Sequence, residues 1–321
     1  MSPTLKQLVI ASRGSRLALI QANIVADLVR AAAPDIAVEV RTVTTKGDRD
    51  ARPYAQIGGK GLFTTEVERE VVEGLADVAV HSAKDLTAEL APGCALISVP
   101  TRASVHDVVV GGNGVDGSER LGRLPAGARV GTSSMRRRSL LAETRPDVEV
   151  VELRGNLDTR LRKVAAGEVD AAILAAAGIE RLGHEADAAP LDPEAWIPAP
   201  AQGALAVEAL ADRSDLQELF ATIEDPGARA EVDCERAFAA TLEGGCSVPL
   251  GCLARAHGGQ LVVNGFLGDP EGAQAFRDRI SGSVGEAQAL GKELAHALLS
   301  CGGDELLADL REVEAPAVEE P

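Results

Sequence analysis

A chain of 321 residues is too long for one ordinary hydrophobic core and calls for two or three domains. Apolar residues make up 45% of it but aromatics only 2%, so its cores must be built from Ala, Val, Leu and Ile. A formal net charge of −17 argues against nucleic acid or an anionic membrane as partner, and an anionic ligand would need basic residues gathered locally against that background.

The N-terminus shows no long apolar run after a basic start, so no signal peptide is expected, and no stretch approaches transmembrane length. Residues 8–12 read as a short apolar strand, followed by a helix over 16–30, a strand at 38–43, a helix at 63–73 and a strand at 77–81. Further strands at 128–131, 148–153 and 170–174 each lead into a helix, the first two starting near Ser134 and Leu157. This alternation predicts a mostly parallel sheet covered by helices. Residues 98–102 and 196–202 read as crossings between two lobes, with 203–210 returning to complete the first.

From about Asp225 the pattern changes. A helix over 229–242 is expected to end at Gly244, and strands follow at 250–256, 261–267 and 275–280, separated by glycine-containing turns. Leu290, Leu294 and Leu298 mark one face of a last helix. The expected fold is an α/β two-lobed core plus a small α+β C-terminal domain with an antiparallel sheet. Domain 1 takes 1–100 and 203–220, domain 2 takes 101–202, and domain 3 takes 225–312. The Pro/Glu-rich tail at 313–321 is expected to be disordered.

The five cysteines are odd in number and lack a C-x-x-C pair, a pattern of reduced thiols in the cytosol. The scattered histidines give no metal-ligand spacing. Cys234, Phe238 and Leu242 recur at helical spacing as a buried stripe, Cys252 lies in a strand, and Cys301 precedes a Gly-Gly helix end. Cys246 differs: Gly244 and Gly245 precede it and Pro249 follows, a mobile mount suited to presenting a covalent group, a buried loop thiol being the plainer alternative.

Four clusters carry candidate chemistry. His81, Ser82, Ala83, Lys84 and Asp85 lie just past a strand end, where open α/β sheets bind ligands, and Lys84 would favour an ionised Asp85, although taken alone a solvated Lys-Asp turn is the better reading. Thr132, Ser133 and Ser134 cap a helix start that also carries Arg136, Arg137 and Arg138. Cations there oppose the helix dipole, which points to an anionic ligand, a solvated surface being the plainer alternative. Arg154, Gly155, Asn156 and Arg160 repeat this strand–cap–helix layout, and Arg13 and Ser15 offer the same chemistry from the other lobe. The glycine-rich run at 56–63 lacks the P-loop pattern and is either a lid over the cleft or a plain loop.

Together these segments resemble the porphobilinogen deaminase family. The matches are residues 11–19, 58–63, 81–85, 131–137, 153–156, 201–204 and 242–246, a set that spans most of the chain and is specific as a whole. The resemblance implies three domains, the first two like type II periplasmic binding proteins. It implies an enzyme that joins four porphobilinogen molecules head to tail, with release of ammonia, into the linear tetrapyrrole hydroxymethylbilane.

It also implies a dipyrromethane cofactor held by a thioether to Cys246, a thiolate being a strong nucleophile toward an azafulvene. Asp85 would be the catalytic carboxylate, hydrogen-bonding pyrrole N–H groups and assisting proton transfer. Cofactor carboxylates would be held by Ser82, Lys84, Thr132, Ser133, Ser134, Arg136, Arg137, Arg154, Gly155 and Arg160. Arg13, Ser15, Arg181 and Gln202 would hold substrate or the product chain, and Lys60 and Phe63 belong to the lid. The resemblance further implies a cytoplasmic monomer with no metal, nucleic-acid or membrane partner.

The chain departs from the common family pattern at Gln56, Ala83, Leu86, Thr87 and Ala201. These changes bear on the lid and the hinge but leave Cys246, Asp85 and the paired arginines intact. Two other readings are a non-catalytic anion-binding module and a cysteine-nucleophile hydrolase. The third domain with Cys246 speaks against the first. The second needs a histidine paired with Cys246, and His257, the nearest in sequence, has no supporting motif.

Overall fold

The computed structural model describes residues 5–49, 61–62, 64–184, 187–243 and 248–314. The chain begins with β1 (Gln7–Arg13), α1 (Arg16–Ala32), β2 (Ala37–Val43), α2 (Lys46–Arg49), α3 (Thr65–Val72), β3 (Val78–Ser82) and β4 (Cys94–Ser98). Then follow β5 (Asp107–Gly111), α4 (Gly117–Arg123), β6 (Arg129–Gly131), α5 (Met135–Thr144), β7 (Glu149–Val151), α6 (Leu157–Ala165), β8 (Ala171–Ala175), α7 (Ala176–Leu182) and β9 (Ala188–Pro190). Last come β10 (Leu205–Leu210), α8 (Ser214–Ala221), α9 (Pro226–Thr241), β11 (Leu250–His257), β12 (Gln260–Gly268), β13 (Ala275–Ser283), α10 (Ala287–Leu298) and α11 (Asp304–Glu314).

The strands form three sheets. The first has the order β2-β1-β3-β10-β4, with β1 parallel to β2 and β3, and β10 antiparallel to β3 and β4. Ala22, Val25, Ala26 and Val29 form the inward stripe of α1, and it packs on Leu8, Ile10, Val78, Val80, Leu205 and Val207. The second sheet, β7-β6-β8-β5-β9, pairs β6 in parallel with β7 and β8, while β5 runs antiparallel to β8 and β9. The third is the antiparallel meander β11-β12-β13. Cys234, Phe238, Leu242 and Cys252 lie in the core between this meander and its helices.

Several elements go beyond the sequence reading. Strands β4, β5 and β9 and helices α2, α4, α8 and α11 are additions to it. The run Val108, Val109 and Val110 of β5 is buried throughout, so it lacks the alternation that reveals a half-exposed strand. Helix α4 holds two glycines and is fixed by Asp116, whose side chain accepts from Glu119 N. Helix α9 starts three residues earlier than expected, because Asp225 caps it and Pro226 occupies its first turn. Helix α11 reaches Glu314, which corrects the expected start of a disordered tail at 313. Gly244, the anticipated end of α9, lies outside the described residues.

Both interlobe crossings are tied to α9. The Glu235 carboxylate, fully buried, accepts from Arg102 Nη1 and Nη2 at 2.9 and 2.8 Å. It also accepts the backbone N–H groups of Ala201 at 2.5 Å and Ala254 at 2.8 Å. Arg102 Nε donates to the carbonyl of Gln202 at 2.9 Å, and its Nη1 reaches Glu231 at 2.9 Å. One buried carboxylate therefore joins the first crossing, the second crossing and the third sheet. Ala201, where the family often has glycine, holds a left-handed backbone with φ of 61°.

Candidate active site

The ends of β1 and β3 and the turn after β3 converge on one small polar pocket, lined by Arg13, Gln21, Thr64, His81, Ser82 and Asp85. Asp85 ends a short 3-10 turn, Ala83–Asp85, that is fixed to the residue before β10 by the Ala83 N–H donating to Ala204 O at 3.0 Å. Ala83 is buried, so this turn is anchored on its inner side and presents Lys84 and Asp85 outward. Neither side chain makes a hydrogen bond with any described residue, which keeps both available to a ligand. Protein mass around the Lys84 ammonium lowers its pKa to about 8; Arg136 and Arg137 act in the same sense, and Asp85 and Asp107 oppose them.

Ser82 exchanges hydrogen bonds with the side chain of Gln21, at 2.8 Å from Gln21 Nε2 and 3.1 Å to its Oε1. Gln21 is buried and was not singled out in the sequence. Its place in line with Val25 and Val29 on the otherwise apolar buried face of α1 is the signal that could have found it. Ser15 caps α1, its hydroxyl accepting from Ala18 N at 3.3 Å.

On the second lobe the hydroxyl cluster serves the backbone of its own junction. Thr132 Oγ1 accepts from Ser134 N, Ser133 Oγ donates to Leu153 O at 2.7 Å, and Ser134 caps α5. Arg136 and Arg137 are almost fully buried and converge on Asp107, at 2.8 and 2.7 Å. They also donate to the carbonyls of Ile197 and Ile173. Burial would raise the Asp107 pKa, but the two guanidiniums overturn this and hold it well below the usual carboxylate range. Gln202 joins the same network, donating to Asp107 Oδ1 at 3.0 Å and Val105 O at 2.8 Å. Two cations around one carboxylate leave a net positive charge fixed behind the cleft wall. Asp107 went unnoticed in the sequence, although a carboxylate opening an apolar run is a sign of a buried charge.

The next junction carries Arg154, 2.9 Å from Glu152, and Arg160, whose Nε donates to Gly155 O at 2.9 Å. Asn156 caps α6, as its position implies, accepting from Thr159 N at 2.9 Å. Gly155 has φ of 110°, a conformation that side chains other than glycine's rarely adopt. Arg181 on α7 donates to the Gly203 carbonyl at 2.7 Å, so it meets the second crossing. Arg16 of α1 spans the lobes to Asp158 at 3.2 Å, where His184 also binds at 2.7 Å.

Lys60, Phe63 and Cys246 lie outside the described residues. Described elements bracket the cysteine's loop: α9 leads into it, and β11 leaves it beside the second crossing, where Cys252 N donates to Pro198 O at 3.0 Å. Among the described residues no group of acids, histidines and cysteines has the arrangement of a metal site. Among them, too, no helix is long and apolar enough to cross a membrane. The chemistry gathered at the strand ends is thus one accessible carboxylate, one accessible ammonium and arginines from both lobes, an arrangement suited to a polyanion with N–H donors.

Comparison with known proteins agrees with that chemistry. The family described as porphobilinogen deaminase, dipyromethane cofactor binding domain, matches residues 8–218, and the porphobilinogen deaminase C-terminal domain matches 229–300. The porphobilinogen deaminase of Roseiflexus castenholzii is 45% identical over 303 residues, covering 94% of this chain and 98% of that protein. That of Nitratidesulfovibrio vulgaris is 43% identical over 314 residues, covering 95% and 98%. Among solved structures, the periplasmic VFT2 domain of Bordetella pertussis BvgS is 16% identical with a TM-score of 0.39, covering 68% of this chain and 86% of that one.

Proposed function

The chain belongs to the porphobilinogen deaminase family, and from that premise we propose how its own residues carry the family's reaction. That reaction polymerises four porphobilinogen molecules head to tail, with release of ammonia, to hydroxymethylbilane. The dipyrromethane cofactor of the family supplies, when bound, the primer on which the chain grows. The residues present fit such a group: Lys84 stands open to the cleft without an ion-pair partner among the described residues, and a neighbouring anion would offset the desolvation that lowers its pKa.

In this reading Cys246 bears the cofactor through a thioether. The described elements on either side of it, α9 and β11, both bond to the second crossing, which supports attachment near the interlobe cleft. Asp85 accepts hydrogen bonds from pyrrole N–H groups and offsets positive charge that develops on them. Ser82 and Gln21 orient the pocket floor, and Arg13 and Ser15 face the incoming ring. Lys84, Arg154 and Arg160 bind acetate and propionate side chains, with Thr132, Ser133, Ser134 and Gly155 shaping the junctions that present them. Arg136 and Arg137 act through the fixed positive field around Asp107, and Gln202 and Arg181 secure the second crossing. Lys60 and Phe63 complete the lid. The protein works as a cytoplasmic monomer.

The single observation that carries this reading is Asp85, held rigidly from behind and accessible in front, beside Lys84. Intact-mass measurement tests it. The protein expressed with ample porphobilinogen should weigh more than its polypeptide by one dipyrromethane, and Cys246→Ala should lack the increment. A wild-type mass equal to the bare chain would refute the attachment. Asp85→Asn should stay folded and lose turnover, and undiminished porphobilinogen consumption would remove Asp85 from the mechanism.

A further inference from the structure

Behind the Asp85 pocket, on the α3 face of the first sheet, lies a second polar cluster with no part in the roles above. Glu208 on β10 is fully buried, and its Oε2 sits 3.3 Å from Nε2 of His81 on β3. The β3–β10 register sets Glu208 diagonally across from His81, so both side chains leave the same sheet face. Glu68 of α3 and Thr64, which precedes α3, are also buried there. Among the described residues, both carboxylate oxygens of Glu208, Oε1 of Glu68 and Nε2 of His81 lack partners in hydrogen-bonding geometry. So many buried polar atoms in one place, each costly without a partner, mark a chamber shaped for bound water.

The charges around it are defined. Burial and the Glu208 carboxylate push the Glu68 carboxyl up, while His81, Thr64 and Arg236 act the other way. Cys94 on β4 is pushed up to about 12 by burial and by Glu208, so it stays a thiol. Arg236 on α9 donates to the carbonyls of Thr87 and Ala88 and faces Glu208 and Glu68 from the far side. On the pocket side stand Asp85 and Arg13, and His81 lines that pocket as well. His81 is therefore shared between the pocket and the chamber.

The reaction gives such a chamber a task. Each condensation forms a C–C bond, breaks a C–N bond in the incoming molecule and breaks a C–H bond on the ring that accepts it. The amine leaves with the C–N electron pair and needs a proton. The accepting ring keeps the C–H electron pair and releases a proton only after the C–C bond has formed. One proton must be supplied early and recovered late, with no net change.

We propose that His81, which lines the Asp85 pocket on one side and lies against Glu208 on the other, couples Asp85 to this buried cluster, and that water bound among Glu208, Glu68 and Thr64 stores the proton that Asp85 exchanges with the substrate. This rests on Asp85 being the catalytic carboxylate.

The test compares wild type, Glu208→Gln, His81→Gln and the double variant in porphobilinogen consumption from pH 6 to 9. Intact mass and thermal melting check cofactor content and folding in each. Glu208→Gln should lower kcat about tenfold or more with KM within about twofold, and it should alter the shape of the kcat–pH curve. The double variant should fall no further than the worse single variant, as expected of residues acting as a unit. A Glu208→Gln protein that is folded and loaded, with an unchanged kcat–pH curve, overturns the proposal while leaving Asp85 in place. Full turnover by Asp85→Asn would overturn both readings.

Discussion

Arg102 and Glu235 form a bidentate pair at 2.9 and 2.8 Å that holds the first interlobe crossing to the helix leading into the Cys246 loop. The same carboxylate binds Ala201 N on the second crossing. A motion that opens the two lobes must therefore pivot about a point fixed to the third domain.

Glu235→Gln should be strongly destabilising. It removes a carboxylate charge in contact with Arg102, and it leaves two of four accepted bonds facing an amide donor, because each oxygen accepts two. Breaking a buried pair from one side costs about 3–5 kcal/mol. Chemical denaturation should show a loss of that order, with Arg102→Met less damaging in the Glu235→Gln background than alone.

Asp107→Asn should leave Arg136 and Arg137 as two buried cations without a countercharge. A loss of about 3–5 kcal/mol is expected by denaturant titration. The folded-state pKa of Asp107 lies below its unfolded value, so its stabilisation is complete above the unfolded pKa of about 4 and disappears as pH falls through the folded value. Wild type should therefore lose this contribution only in strong acid, and the difference between variant and wild type should be constant from pH 6 to 8.

Lys84 should make ligand binding by the cofactor-free Cys246→Ala protein pH-dependent. With its pKa lowered to about 8, it is charged at pH 7 and largely neutral at pH 9. Porphobilinogen binding measured by calorimetry should weaken across that window, because the neutral amine no longer attracts carboxylates. Lys84→Arg, charged throughout, should bind with no such decline.

Gly155→Ala should lower stability by about 1–3 kcal/mol. Its φ of 110° disfavours any side chain, and an added Cβ would meet Thr159 Cγ2 at 2.7 Å. Because this glycine shapes the junction between Arg154 and Arg160, melting temperature and cofactor content by mass should fall together.

Much of this was legible from local pattern. The α1 stripe, the β1 and β3 strands, the Asn156 cap and the three-stranded meander depend on neighbours in sequence, and periodicity and capping chemistry report on those. Short buried runs such as β5 were not legible, because a strand covered on both faces shows no alternation. The hydroxyls and arginines at 132–137 pointed to an anionic ligand at that junction. The sequence had no means of showing that Asp107, some thirty residues away, takes both arginines into the interior.

By itself the sequence determined which side chains must come from strand ends, since Asp85, Arg13 and Arg154 each follow an apolar run that a sheet has to bury. Only the tertiary structure decided which of these charges face the cleft. Lys84 and Asp85 stay open because the buried Ala83 holds their turn from within. Arg136, Arg137 and Arg102 turn inward because Asp107 and Glu235 come from distant segments to meet them. A charge is accessible or buried according to where its counterion lies in space, and that is a property of the fold.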